Sequence, residues 1–357
     1  MMSIPATMRA MVLTGHGDMD KLEWHDDWPV PEIAEGEVLI KVLACGLNNT
    51  DVNTRTAWYS KGTQESTTGG ALEGADEEDA TWGGAPITFP RIQGADVVGE
   101  VVAGSKELVG KRVMIETWLR DWDDPMNMDK TGYYGSECDG GFAEYTKVDA
   151  RNAHAIESDL SEVEIATFAT SYVTAENMLN RANVGAGDTI LIPGTSGGVG
   201  GALIQLANRR GARTIAMASE PKHTEVARSN PARILPRAPK GLKTLLKDEK
   251  ITVVADVVGG EQWSVLIDLL ERGGRYTCAG AIAGPIVEMD LRTFYLRDLT
   301  FTGATIVPPG VFADLVGYIA RGEIKPMLAA TYPLRELQAA QQAFIDKKHT
   351  GNIVVVP

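Results

Sequence analysis

A glycine-rich turn, GTSGGVG at residues 194–200, is the feature that most limits how this chain can fold. It separates an apolar, strand-like segment, DTILIPG, from a segment with helical periodicity, GVGGALIQLANRRG. Glycines at a strand-to-helix turn let the backbone approach a pyrophosphate, to which the helix N-terminus offers free N–H groups and its positive dipole end. This context favours a dinucleotide-binding turn over a tight turn without a ligand. The cofactor-binding residues predicted in it are Gly194, Thr195, Ser196, Gly197, Gly198, Val199 and Gly200.

The rest of the chain shows two patterns that divide near residue 155. Up to that point, short β-like segments such as GEVLIKVLA and ADVVGEVVA alternate with Gly, Pro and Asp, which predicts a small barrel or sandwich. Beyond it, apolar strands alternate with amphipathic helices, among them EQWSVLIDLLERGG at residues 261–274, and this predicts a parallel sheet. The length of 357 residues also favours two domains.

Charge and cysteine usage exclude several classes of protein. The net charge of −14 argues against nucleic acid or an anionic membrane as a main partner, because both bind basic surfaces. Three distant cysteines, Cys45, Cys138 and Cys278, rule out a disulfide framework and a four-cysteine zinc lobe. No apolar run approaches the roughly 20 residues that span a bilayer, and the N-terminus lacks the shape of a signal peptide. We therefore expect a soluble cytoplasmic protein without a membrane partner.

The segment after the next strand bears on the choice of cofactor. In NAD enzymes, an Asp or Glu about 20 residues beyond the glycine turn usually holds the ribose hydroxyls. Here the strand ends at Ala218 and is followed by Ser219, with Lys222 close behind. A small residue, a hydroxyl and a cation suit a 2′-phosphate, whereas Glu220 would repel one and Lys222 could also be an ordinary surface lysine. On balance we expect NADP(H) as the cofactor.

These motifs, together with DGGFAEYTKV at residues 139–148 and TAENML before the nucleotide fold, resemble the medium-chain dehydrogenase/reductase superfamily. The resemblance covers nearly the whole chain except residues 60–89 and 121–131. It implies an α/β fold with an active site in the cleft between two domains. The expected parts are a GroES-like β-barrel catalytic domain at residues 1–155, a Rossmann domain with a doubly wound parallel sheet at residues 156–315, and a C-terminal segment at residues 316–357 that returns to the catalytic domain.

The same resemblance implies that a catalytic zinc site has been lost. Zinc-dependent members carry ligands at positions that read Asn48, Ala95 and Thr170 here, and these cannot supply three Cys, His or carboxylate ligands. Asp96, which matches the carboxylate beside the ligand histidine, is the single remaining candidate. The zinc-free, quinone oxidoreductase-like branch instead carries an Asn-x-x-Asp segment followed by Tyr, a spacing that NNTDVNTRTAWY at residues 48–59 matches. We therefore predict no metal ligands.

The polar stretch at residues 48–59 also supplies candidate catalytic groups. Hydride transfer to a conjugated C=C bond leaves charge on a carbonyl oxygen, which preplaced hydrogen-bond donors stabilise in place of zinc. Asn48, Thr50 and Tyr59 are the predicted donors, and Asn48 could instead hold the nicotinamide ribose. Asn48 and Asp51 could also satisfy backbone groups in a turn, the interpretation that we favour for Asp51. The main hypothesis is an NADPH-dependent reductase of quinones or α,β-unsaturated carbonyls. Two alternatives remain open: an alcohol dehydrogenase acting on ketones or aldehydes through Thr50, and an NADP-binding protein without turnover.

The resemblance implies further contacts outside these motifs. Asn352 is predicted to contact the cofactor where zinc-free relatives often place a lysine, and Glu176, in place of a common tyrosine, is predicted to be a salt-bridged helix residue rather than a perturbed acid. A homodimer would form along the edge strand LTFTGATIV at residues 299–307, and the acidic insertion at residues 60–89 is expected to be a mobile flap or a partly ordered loop. The residues expected to flank the nicotinamide are Thr174, Val258, Gly259, Gly280 and Ala281.

Overall fold

The computed structural model of the chain describes residues 4–67, 70, 74–238 and 240–357. Part of the predicted flap at residues 60–89 and the first three residues of the N-terminus therefore lie outside the described residues. Among the residues that are described, no helix is long and apolar enough to cross a membrane. The fold is α/β, as predicted, and joins a β-rich domain to a parallel sheet.

The N-terminal domain is built around one long strand, β3, whose two edges are both paired. β4 covers one edge, and β8 covers the first half of the other. Buried side chains of β3 such as Val38, Ile40 and Val42 join one apolar core, and burial of each contributes about 1.5–3 kcal/mol. The elements are β1 (Thr7–Leu13), β2 (Leu22–Pro29), β3 (Glu37–Gly46), α1 (Asn49–Arg55), β4 (Asp96–Ala103), β5 (Arg112–Ile115), β6 (Trp118–Arg120), β7 (Thr131–Tyr133), β8 (Tyr145–Asp149) and β9 (Ala153–Ala155).

The second domain alternates helices with parallel strands. Its elements are α2 (Glu162–Ile165), α3 (Ala169–Arg181), β10 (Thr189–Ile192), α4 (Gly198–Arg209), β11 (Arg213–Ala218), α5 (His223–Val226), β12 (Arg233–Pro236), α6 (Leu242–Leu245), β13 (Ile251–Asp256), α7 (Trp263–Leu269), β14 (Leu270–Cys278), α8 (Leu291–Tyr295), β15 (Thr300–Gly303) and α9 (Val311–Ala320).

The order of these strands in the sheet determines where a ligand can bind. The order is β12-β11-β10-β13-β14-β15, so the chain reverses direction across the sheet between β10 and β13. Along β10, Ile190 and Ile192 enter one apolar cluster and Leu191 enters another, because successive residues of a strand face opposite sides. Both faces of the sheet are thus covered by apolar packing. Ligands of such sheets bind beyond the carboxyl ends of the strands at the reversal.

Two predicted elements of this domain differ from the structure. The helix expected over residues 261–274 ends at Leu269, and β14 begins at Leu270, which pairs with Ile251 of β13. The strand expected over residues 299–307 is only Thr300–Gly303, although β15 does lie at the edge of the sheet. In the first case strand pairing with β13 prevails over the helical periodicity of the sequence.

The last part of the chain returns to the first sheet. It consists of β16 (Leu328–Pro333), α10 (Leu337–Ile345) and β17 (Asn352–Val356). β17 pairs antiparallel with the end of β3, where Val355 lies opposite Cys45. Its first residue follows Gly351, whose N–H donates to the carbonyl of Ser196 in the glycine-rich turn at 2.9 Å. The C-terminal segment therefore contacts both sides of the cleft between the two sheets.

Candidate active site

A cavity of about 320 Å³ lies in this cleft, and almost all the residues predicted from the sequence lie on its wall. It runs from the end of β11, past the glycine-rich turn, to the start of α1. The predicted residues that line it are Asn48, Thr50, Tyr59, Thr174, Gly194, Ser196, Gly197, Gly198, Val199, Gly200, Ala218, Ser219, Lys222, Val258, Gly280, Ala281 and Asn352.

Two predicted cofactor residues, Thr195 and Gly259, do not line the cavity. Thr195 is fully buried, and its hydroxyl donates to the carbonyl of Met217 at 3.0 Å. Gly259 has a φ of 63°, and a Cβ there would lie 2.8 Å from the carbonyl oxygen of Gly284. Both residues shape the turns beside the cavity, and their contact with the cofactor stays a prediction.

The glycine-rich turn has the geometry that a diphosphate requires. A Cβ on Gly194 would lie 2.7 Å from Val258, and one on Gly200 would lie 2.5 Å from a backbone oxygen, so both glycines are fixed by close packing. At Gly197, which precedes the first turn of α4, a Cβ would approach nothing closer than 3.7 Å. This open position at a helix N-terminus leaves room for phosphate oxygens beside unpaired N–H groups. The residues present therefore fit a dinucleotide.

A group of cations surrounds the end of the cavity near Ser219. Lys222, which was predicted, is joined there by Arg237 and Lys347, which were not. Burial, and then the charge of Arg237, lower the pKa of Lys222, and the opposing influence of Glu225 is smaller. Burial lowers the pKa of Lys347 to about 8, with a further contribution from Lys222. The three cations thus repel one another, an arrangement that a bound anion would relieve.

The backbone and side chains hold this group, called here the basic cluster (Lys222, Arg237 and Lys347), in place. The ammonium of Lys222 donates to the carbonyl oxygens of Lys347 and of His349, the latter at 2.7 Å. The ammonium of Lys347 donates to the Asn49 side chain at 3.0 Å and lies over the ring of Phe344. Arg237 was detectable in the sequence, because it directly follows β12 and the carboxyl ends of neighbouring parallel strands meet at one edge. No local sequence pattern identified Lys347 as a residue of the site.

The opposite end of the cavity is formed by α1 and the turn after it. The side chain of Asp51 accepts a hydrogen bond from the backbone N–H of Asn48 at 2.7 Å, which fixes the first turn of α1. The hydroxyl of Tyr59 donates to that of Thr50 at 3.4 Å, and burial raises the pKa of Tyr59 above its ordinary value. Tyr59 is therefore placed to donate a hydrogen bond but is a poor acid.

Asn48 and Thr170, two of the positions at which the resemblance implies zinc ligands, form a polar network with Asp96 here. Asp96, fully buried, accepts hydrogen bonds from the backbone N–H of Thr170 at 3.0 Å and from the Thr170 hydroxyl. The side-chain nitrogen of Asn48 and the second oxygen of Asp96 are buried without a hydrogen bond of good geometry, although the amide is near enough to lower the pKa of that carboxyl. Within the described chain no group of three or more His, Cys, Asp or Glu residues is placed to hold a metal ion.

Two buried carboxyl groups lie in this network without compensation by a cation. Burial raises the pKa of Asp96 to about 6, against the hydrogen bonds from Thr170. Burial likewise raises the pKa of Asp51 to about 7, and the charge of Asp96 raises it further. Cys45, also fully buried, has its pKa raised by burial and by both carboxylates. These acids are therefore partly protonated near neutral pH.

Three further features lie in the cavity wall or close to it. The side-chain nitrogen of Asn352 donates to the Ser171 hydroxyl at 2.9 Å, and its side-chain oxygen is buried without a partner among the described residues. Glu176 does not line the cavity. It forms an ion pair with Arg210 at 2.7 Å, as predicted for a salt-bridged helix residue. In the described part of the insertion, the N–H of Thr67 donates to the carbonyl of Ile282 at 3.0 Å, across the cleft.

Comparisons with known proteins agree with this architecture. Residues 34–158 match the family described as alcohol dehydrogenase GroES-like domain, and residues 198–321 match the family described as zinc-binding dehydrogenase. A crystal structure from Sinorhizobium meliloti 1021, provisionally assigned as an alcohol dehydrogenase, is 41% identical, with a TM-score of 0.90 over 100% of this chain and 98% of that one.

Two relatives with assigned activities are more distant. The NADPH-dependent alkenal/one oxidoreductase of Arabidopsis thaliana is 28% identical over 99% of this chain and 81% of the relative. The quinone oxidoreductase of Mus musculus is 25% identical over 98% of each chain. The two matched domains, the strand order and the cavity between the sheets lead to the same conclusion: the chain belongs to the medium-chain dehydrogenase/reductase superfamily and is an oxidoreductase that binds a nicotinamide cofactor.

Proposed function

We propose that the protein is an NADPH-dependent reductase of quinones or α,β-unsaturated carbonyl compounds that works without catalytic zinc. The observation that carries this proposal is the Asn48 amide, a buried hydrogen-bond donor without a partner of good geometry, on the cavity wall beside Thr170 and Asp96. A preplaced donor on the wall of such a cavity stabilises negative charge that develops on a substrate oxygen. The names of the plant and mouse relatives support the same substrate classes.

The basic cluster supports NADPH over NADH. Lys222, Arg237 and Lys347 lie around Ser219, at the end of the strand where NAD enzymes usually present a carboxylate. A 2′-phosphate would be bound there by charge-assisted hydrogen bonds, each of which contributes about 1.5–3 kcal/mol. Gly197 and the N-terminus of α4 would hold the diphosphate, and Asn352 would contact the nicotinamide half with its unpartnered oxygen. When bound, NADPH supplies the hydride.

The side chains at the other end of the cavity bind and orient the substrate. Asn48 donates to the carbonyl oxygen, and Tyr59, held by Thr50, faces the substrate from the turn after α1. The contact between Thr67 and Ile282 covers this end and limits the entry of water. Preplaced donors of this kind typically account for a factor of about 10²–10³ in kcat.

One alternative has an observation of its own. The Sinorhizobium relative at 41% identity is provisionally assigned as an alcohol dehydrogenase, and Thr50 offers a hydroxyl that could contact an alcohol or a ketone. In that case we would expect zinc to polarise the carbonyl group as a Lewis acid. The third hypothesis, an NADP-binding protein without turnover, has no such support.

The deciding experiment follows NADPH oxidation by metal-stripped protein with 1,4-naphthoquinone, a simple enone and a simple ketone, with NADH as the control. We expect turnover of the quinone and the enone with NADPH that survives chelation. Turnover that returns only when zinc is restored would refute the proposal in favour of the alcohol dehydrogenase. The absence of turnover with all three acceptors, while NADPH still binds, would support the hypothesis of an NADP-binding protein without activity.

Two neighbouring asparagines provide a matched pair of variants. Both Asn48 and Asn49 line the cavity, but only Asn49 contacts the basic cluster, through Lys347. Asn48→Ala should lower kcat about a hundredfold, because it removes a donor to the developing charge. Asn49→Ala should chiefly raise the KM for NADPH. Equal effects of the two variants on kcat would contradict the role given to Asn48.

A further inference from the structure

A line of three hydrogen-bonding side chains runs from the cavity wall into the protein interior, and substrate binding as proposed above does not use it. The Thr170 hydroxyl, which lines the cavity, donates to Asp96. The phenol of Tyr133 lies 2.7 Å from the same hydroxyl. The backbone N–H of Thr170 also bonds to Asp96, at 3.0 Å. The carboxyl and the hydroxyl are thus held together by two contacts.

The surroundings of Asp96 are acidic or neutral. The titratable groups whose pKa the charge of Asp96 raises are Asp51 on α1, Cys45 on β3 and Tyr133 on β7. Burial raises the pKa of Asp96 against the hydrogen bonds that it accepts. A carboxyl group in such an environment holds a proton far more readily than one at the surface.

We propose that Asp96 is the proton store of the active site and that Thr170 passes its proton to the reduced substrate. This inference rests on the proposed function, because it requires a substrate that accepts a hydride and then a proton. In this scheme Thr170 touches the substrate, and Asp96 acts through Thr170 as a positioning and proton-supplying residue. A hydrogen bond between Tyr133 and the Thr170 hydroxyl fixes the position of that hydroxyl.

The chemistry of a single hydroxyl explains why the proton on Asp96 matters. A threonine hydroxyl has one hydrogen to donate and can accept two hydrogen bonds. When Asp96 is ionised, it takes that one hydrogen, and Thr170 offers none to the cavity. When Asp96 is protonated, Thr170 accepts from Asp96 and from Tyr133, and its own hydrogen becomes available to a ligand. The charge of Asp96 therefore decides whether the cavity has a proton donor at this point.

The proton transfer balances with the reduction of an enone. Bound NADPH would supply the hydride by loss of a C–H bond of its nicotinamide and would leave as NADP⁺; the new C–H bond forms at the β-carbon, and the π electrons of the C=C bond move to the carbonyl oxygen. That oxygen then takes the proton of the Thr170 hydroxyl, while the O–H bond of Asp96 breaks and its proton replaces the one that Thr170 has lost. The product leaves as an enol that tautomerises to the saturated ketone. Asp96, now a carboxylate, regains a proton from solvent water before the next turnover.

The test compares pH profiles of kcat for the metal-stripped enzyme with NADPH and an enone. For the wild type, kcat should fall about tenfold per pH unit above the pKa of Asp96 in the complex. Asp96→Asn keeps the shape of the side chain but cannot supply a proton, so kcat should be lower by about a hundredfold and independent of pH over this range. Thr170→Val should behave in the same way, whereas Thr170→Ser should restore most of the activity. The Kd for NADPH should change little in any of these variants.

Asp51→Asn is the matched control, because Asp51 is a second buried carboxyl of raised pKa that does not contact Thr170. It should retain the fall of kcat with pH, moved to lower pH, because Asp96 then ionises without a neighbouring charge. A pH profile that persists in Asp96→Asn, or full activity in Thr170→Val, would overturn the proton store while leaving the reductase intact. A wild type that reduces neither quinone nor enone would instead refute the proposed function, and the proton store with it.

Discussion

The buried carboxyl of Asp51 should make the protein less stable as the pH rises, and its removal should reverse the effect. Its pKa rises from 3.8 to about 7, with burial as the first cause. The unfolded chain therefore loses this proton near its ordinary pKa, whereas the folded protein keeps it for about three further pH units. Between these values the unfolded state binds fewer protons, so the free energy of unfolding falls with pH.

The magnitude follows from the same pKa values. One pKa unit corresponds to about 1.4 kcal/mol, so the full difference for Asp51 amounts to roughly 4 kcal/mol. Asp51→Asn removes the titration but keeps an oxygen that can accept the N–H of Asn48. The free energy of unfolding of the variant should exceed that of the wild type by roughly 2 kcal/mol at about pH 5 and by roughly 4 kcal/mol at about pH 8. For a chain of 357 residues, the latter corresponds to a rise in Tm of roughly 5 °C.

The assay is urea denaturation of both proteins at the two pH values, with unfolding monitored by circular dichroism. Asp121→Asn serves as the control, because its carboxyl is partly exposed and a 2.7 Å ion pair with Lys130 lowers its pKa. That variant should lose a little stability at the higher pH, the opposite sign. A gain for Asp51→Asn that is the same at both pH values, or larger at low pH, would refute the assignment of a raised pKa.

Three further predictions concern the cofactor end and the assembly. Burial lowers the pKa of Lys347 to about 8, so the Kd for NADPH should rise with pH above that value, and Lys347→Gln should remove the dependence. Arg237→Ala should raise the KM for NADPH about tenfold to a hundredfold and leave that for NADH nearly unchanged; an equal effect on both would exclude a 2′-phosphate contact. We also propose that β15 pairs with a second copy of the chain, and light scattering should then give twice the chain mass of 38.4 kDa.

The parts of the site that the sequence predicted are those formed by neighbouring residues. The glycine-rich turn and the stretch at residues 48–59 each supply their contacts from one short segment, and both lie on the cavity wall. Thr195 was included by proximity alone, since its neighbours line the cavity while its own hydroxyl binds Met217. Local spacing identifies the segment but does not determine which way each side chain points.

The parts that the sequence did not predict depend on distant segments. Lys347 reaches the cavity only because β17 pairs with β3 and brings the loop before it to Lys222. The helix expected over residues 261–274 ends early for a similar reason, since Leu270 pairs with Ile251. In both cases the deciding contact joins residues that are far apart in the sequence, and no window of helical or strand periodicity contains it.

The network at Asn48, Asp96 and Thr170 lies where the resemblance implies the ligands of a zinc site. Burying two carboxyl groups without a cation lowers the free energy of unfolding by several kcal/mol, on the order of half the net stability of an ordinary domain. An apolar replacement at Asp96 would avoid that cost, yet Asp96 is held by Thr170 through two hydrogen bonds. A destabilising acid that is fixed in one geometry directly behind the cavity wall, by Thr170, is a candidate functional group rather than a packing element. We therefore propose that the Asn48 amide and a proton from Asp96 stabilise here the charge that zinc would stabilise in a zinc-dependent enzyme.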